Sequence, residues 1–264
     1  MSSAREAEEA KRKLNSRLQE KHSSLWATDI QQKGNYMVLQ ESSFFRARKK
    51  ALIAAGIFYI VLLGIWAFLE LYLTTNFLRN VPERIYDIIK EIGLKLIVWF
   101  LPALVISRKF DSSMYVDKSE MFSVKKKDLL YVLILLPFMM FHAVLSIRSK
   151  GGIVINSSFS VLDVLIFASV GLCEEMVFRG VLLNVTLREK KNNIAAIAVN
   201  AVLFLIIHFP IWYRTGALAD NLLSGSFITV IILSIIFSYV FSKTKGIVIP
   251  AALHMCWDIL CVMQ

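Results

Sequence analysis

Residues 159–188 read FSVLDVLIFASVGLCEEMVFRGVLLNVTLR, an apolar stretch with two glutamates and an arginine near its middle. A helix of that length, rising about 1.5 Å per residue, is long enough to cross a bilayer. Each charge inside hydrocarbon costs a few kcal/mol on insertion scales, so Glu174, Glu175 and Arg179 need a reason to be there. Their spacing separates their parts. Glu175 and Arg179 are i,i+4 neighbours and can pair on one helical face. Glu174 points about 100° away from Glu175 and is left without that partner. A free carboxylate in a partly desolvated cavity suits general-base work. Glu175–Arg179 therefore reads as a structural ion pair and Glu174 as the reactive group.

The rest of the chain supports a membrane setting. Of its 264 residues 56% are hydrophobic and 19% charged, against about 45–50% and about 25% in soluble domains. That balance excludes a soluble enzyme, and the low Pro and Gly content excludes a disordered or collagen-like chain. Cys173, Cys256 and Cys261 all fall in apolar segments, so they outline no disulfide framework. Seven apolar segments, 51–78, 92–107, 129–147, 159–188, 194–213, 226–242 and 246–263, predict an all-α polytopic transmembrane bundle of about seven spans. Ahead of the bundle (51–264) lies a polar tail, residues 1–50. The tail opens with a capping-box spacing from Ser3 to Glu6 and carries Ala7, Ala10, Leu14 and Leu18 at helical intervals, which predicts a partly helical, solvated segment.

Net charge is +10, and half of it sits in the tail, with 11 Lys/Arg against 6 Asp/Glu in residues 1–50. No basic stretch is interleaved with aromatics, so no nucleic-acid partner is expected; the basic run at 46–50 is expected at anionic lipid headgroups. Counting Lys/Arg in alternate connections favours a cytosolic N-terminus. In that count Arg79, Arg84, Lys90, Arg148, Lys150 and Arg214 are outer-loop charges.

Two later spans bring polar groups to a similar depth. Span 194–213 holds Phe204-x-x-x-His208 and span 246–263 holds His254-x-x-x-Asp258. Each i,i+4 pair shares a face, so Phe204 can pack under His208 and Asp258 can steer His254. Measured from the cytosolic charges, Glu174, His208 and Asp258 all lie roughly 20–25 Å along their helices. Three helices thus present Glu, His, His and Asp at nearly one level. Asn200 and His142 read as interhelical hydrogen bonds.

Glu-Glu-x-x-x-Arg, Phe-x-x-x-His and His-x-x-x-Asp, in that order on successive hydrophobic segments, resemble the motifs of the CPBP family of intramembrane proteases, also called the Abi or CAAX prenyl endopeptidase family. The resemblance covers residues 159–264. It implies an intramembrane endopeptidase acting on a membrane-associated peptide or protein, such as a prenylated protein or a pheromone or bacteriocin precursor. Carried over residue by residue, it implies that Glu174 and His208 activate water while His254 and Asp258 stabilise the oxyanion. Some members of the family have Asn at the last position. An ionised Asp cannot donate to an oxyanion, so Asp258 is expected to orient His254.

Alternatives remain open at this stage. Glu174, His208, His254 and Asp258 would also serve Zn²⁺ or a similar divalent ion, although no HExxH spacing occurs and no cofactor is favoured. A membrane immunity protein that binds a bacteriocin without cutting it is a second alternative. A transporter is a third, but it calls for a repeat or broken helices near the motifs, and the interior breaks expected here, Pro102 and Pro137, lie away from them. The resemblance favours a bacterial plasma membrane, with the endoplasmic reticulum as the setting in a eukaryote. Cys261-Val-Met-Gln264 has the form of a prenylation box and is expected to be the end of the last helix.

Overall fold

The structure is a computed structural model that describes residues 45–189 and 192–263. Contacts divide the chain into two units, Met1–Ala47 and Arg48–Gln264. In the first unit only residues 45–47 are described, and they are helical. The expected tail helix therefore lies outside the described residues.

All regular structure among the described residues is helical. In chain order the helices are α1 (Phe45–Asn76), α2 (83–109), α3 (Lys126–Lys150), α4 (161–186), α5 (Ile194–Arg214), α6 (Leu218–Leu223), α7 (Phe227–Thr244) and α8 (Val248–Met263). Four of them, α1, α3, α5 and α7, are long and apolar enough to cross a membrane. The other three segments read as spans are helical too. Helices α2 and α4 carry more than two charged residues in every 18-residue stretch, and α8 has 16 residues. The helices that fall short by composition are those that bring charge inward.

Burial is inverted relative to a soluble protein. Ile60 is 70% exposed and Leu130 68%, whereas Glu70, Glu175 and Arg179 are fully buried. An apolar exterior around a charged interior is what a lipid solvent selects. One core cluster gathers Trp66, Trp99, Phe178, Leu183 and Phe204; a second gathers Phe138, Phe237, Val240 and Leu253.

Helix α4 lies at the centre. It packs along α8 and against Leu96–Phe100 of α2, while α7 packs on α5 and α8. The α4–α8 approach is set at Gly171, where a Cβ would stand 2.8 Å from the Ala251 carbonyl oxygen. Glu174 and Glu175, one turn on, are thereby laid beside His254. Its first turn is closed by a capping box between Ser160 and Asp163.

The backbone departs from α geometry at several of the buried charges, though not at Glu174 and Glu175, which lie on regular α-helix. Turns of π type occupy Leu69–Leu73, Ile88–Leu94, Leu96–Phe100 and Phe178–Leu183. These stretches hold or flank Glu70, Lys90, Glu91, Lys95 and Arg179. A π turn takes up an extra residue and re-aims the side chains beyond it, and such turns are frequent at functional sites.

Two expectations are corrected. Lys90 and Arg214 are not free loop charges: both pair with the buried Glu70, at 2.6 and 2.7 Å. Arg84 pairs with Asp163. Pro102 and Pro137 are not the only interior breaks either. Helix α5 is interrupted at Ile207–His208, two residues before Pro210, which has no N–H to continue the ladder.

Replacing Gly171 by Ala should destabilise the protein by about 1–3 kcal/mol, because overpacking outweighs the roughly 1 kcal/mol gained in helix propensity. A lower unfolding temperature of the detergent-solubilised variant would show this.

Candidate active site

The reactive carboxylate expected at Glu174 is not alone. Lys95 of α2 donates to its Oε1 at 2.7 Å, and Lys95 in turn meets Glu91 Oε2 at 2.9 Å. This corrects the reading of Glu174 as a carboxylate without a partner. The other oxygen, Oε2, is buried and has no hydrogen-bond partner. It faces His254 Nε2 at 3.8 Å, beyond hydrogen-bond distance. One oxygen of Glu174 is thus anchored and the other is left open.

Glu175 points the other way. Its Oε1 accepts from Arg179 Nη1 at 2.8 Å and from His254 Nδ1 at 3.1 Å. Arg179 is also held by Ser234 of α7, with Nη2 donating to both the carbonyl oxygen and Oγ at 2.9 Å. The pair is thus part of a joint between α4, α7 and α8, as the i,i+4 spacing allowed.

The His254 ring is fixed from two sides. Phe237 stacks on it at 5.1 Å, and Glu175 holds Nδ1. Asp258 Oδ2 stands 3.6 Å from Nε2, outside hydrogen-bond reach, so the residue that orients this ring is Glu175 and not Asp258. His254 Nε2 then faces Glu174 and Asp258 together.

His208 sits at the break in α5. Its Nδ1 donates to the Phe204 carbonyl oxygen at 2.7 Å, which leaves Nε2 with a lone pair. Phe204 is the common floor. Its ring lies 5.0 Å from His208, 5.8 Å from His254 and 4.9 Å from both Phe178 and the Arg179 guanidinium carbon. Asn200, one turn before Phe204, donates to Ser238 Oγ at 3.3 Å, the interhelical hydrogen bond expected of it.

A cleft of about 520 Å³ borders this cluster at Glu91 and Asp258; Glu174, His208 and His254 are not among its lining residues. Glu91 and Asp258 lie on its wall, and Arg84, Asn156, Ser158 and Asp163 line it further out. Ile166, Phe167 and Val170 of α4 give it an apolar side.

Among the described residues no group of three or more His, Cys, Asp or Glu is placed to hold a metal. The Lys95 ammonium on Glu174 also opposes a second cation at that carboxylate.

Lys95, Glu91, Lys90 and Glu70 are the residues that motif reading missed. The available signal was their charge inside or beside apolar segments of α1 and α2.

Residues 156–260, less than half of the chain, match the family described as type II CAAX prenyl endopeptidase Rce1-like. No curated protein and no solved structure matches the chain.

Arg179→Ala should cost about 3–5 kcal/mol, since it strands Glu175 in a fully buried position. The folded fraction recovered by size exclusion in detergent should fall well below that of wild type. A wild-type yield would show that the joint tolerates the unpaired carboxylate.

Proposed function

We propose, from the match of residues 156–260 to the type II CAAX prenyl endopeptidase Rce1-like family, that this chain hydrolyses a peptide bond of a membrane-associated substrate by direct attack of water. The observation that carries this reading is the placement of Glu174, whose Oε1 is anchored by Lys95 and whose unpartnered Oε2 faces His254 Nε2 at 3.8 Å. A buried acceptor without a partner is costly, and a water molecule at that atom would satisfy it.

Glu174 Oε2 and His208 Nε2 hold the attacking water, and Glu174 takes its proton as oxygen bonds to the scissile carbonyl carbon. The resulting oxyanion accepts a hydrogen bond from protonated His254 Nε2, whose ring is held at Nδ1 by Glu175. When the tetrahedral species collapses, the carbon–nitrogen bond breaks and Glu174 returns the proton to the leaving amine. Asp258 Oδ2 stands 3.6 Å from Nε2. No step requires a metal.

The substrate is a membrane-associated, prenylated CAAX-type protein or a peptide presented from the bilayer in the same way. The N-terminus is cytosolic in the orientation given by the charge count, and the loop that holds Asn156 and Ser158 then lies on the outer side. A bacterial plasma membrane is the setting.

Membranes carrying wild type or Glu174→Ala at matched expression should differ in new protein and peptide termini by mass spectrometry, with the extra termini confined to wild type. A chelator should leave them unchanged. Identical profiles would overturn the protease reading, and loss with chelator would overturn its metal independence. Ser158→Cys, with exposed Cys261 replaced by Ser, should react with a membrane-impermeant maleimide in intact cells; reaction only after lysis would reverse the orientation.

A further inference from the structure

The buried charges form one chain that motif positions do not explain. Arg214 Nε meets Glu70 at 2.7 Å, Glu70 meets Lys90 at 2.6 Å, Lys90 meets Glu91 at 3.1 Å, Glu91 meets Lys95 at 2.9 Å, and Lys95 meets Glu174 at 2.7 Å. Signs alternate along it. Lys95 is its last member before the site, and it lies on α2, outside the matched segment 156–260.

Several observations fix what Lys95 can do. It is 4% exposed, and its ammonium lies 5.3 Å from the Trp99 ring and 5.5 Å from the Trp66 ring. Two of its three N–H groups serve Glu91 and Glu174, and the aromatic faces replace water around the rest. A lysine so enclosed has no route to a substrate in the cleft. It does hold Glu174 Oε1, which leaves Oε2 as the one oxygen of Glu174 free to bind water.

We infer that Lys95 is a positioning residue: fixed by Glu91 and by the Trp66 and Trp99 rings, it locks the Glu174 carboxylate so that Oε2 is turned to the water and the scissile carbonyl. The inference rests on the reading of Glu174 as the base. Misplacing a reacting group by about 1 Å can cost on the order of 100-fold in rate, so a well-folded protein without Lys95 loses turnover rather than substrate affinity.

The test is steady-state cleavage of a quenched fluorescent farnesylated CAAX peptide by the full chain in detergent. Lys95→Met should lower kcat by about 100-fold with KM within about twofold. Lys95→Arg keeps the cation and a donor to both carboxylates, and should recover about tenfold of that loss. Should Lys95→Met fail to fold, Lys95→Met combined with Glu91→Gln removes one charge of each sign and carries the same expectation. Wild-type kcat in either folded variant, or a change in KM alone, overturns the role of Lys95 even where Glu174→Gln is inactive. Wild-type cleavage by Glu174→Gln overturns instead the reading of Glu174 on which the inference rests.

Discussion

A charge in hydrocarbon must meet a counter-charge, and the ion pair of Lys95 with Glu174 is where that constraint shapes this protein most. Lipid offers an orphaned ammonium or carboxylate no solvation, so each buried charge recruits the next. From Arg214 through Glu70, Lys90, Glu91 and Lys95 to Glu174, pairing ties α1, α2, α4 and α5 together. Glu175 extends it to α7 and α8 by holding Arg179 and His254. The π turns in α1, α2 and α4 fall where these residues must be aimed.

Adjacent glutamates acquire different parts because successive residues on a helix face about 100° apart. Glu175 turns to α7 and α8, where Arg179 and His254 share one of its oxygens. Glu174 turns to α2, where Lys95 takes one oxygen and leaves the other open. A network with every group satisfied would be a lock. Glu174 and Glu175 each keep one buried oxygen without a hydrogen-bond partner, and what distinguishes Glu174 is that its open oxygen faces His254 Nε2, at 3.8 Å, while its other oxygen is held by Lys95.

The i,i+4 rule carried most of the local geometry from the sequence. It placed Glu175 with Arg179 and Phe204 with His208, and both contacts occur in the structure. It failed for Asp258, because His254 found a nearer partner on another helix: Glu175 lies 3.1 Å from Nδ1 and 79 positions away in sequence. Lys95 is likewise separated from Glu174 by 79 positions, and no periodicity within one segment reports such a contact. Lys90 and Arg214 read as loop charges in the sequence because hydropathy averages hide a single buried ion. Glu70, a lone acid within the apolar part of α1, is the clue to both.

Purified wild type and Glu174→Gln, reconstituted at equal amounts in liposomes, can be given a farnesylated CAAX peptide in water labelled with heavy oxygen. Direct attack by water activated at Glu174 predicts a cut peptide whose new carboxyl terminus carries the label, formed by wild type alone. Equal labelled product from both proteins would contradict the account.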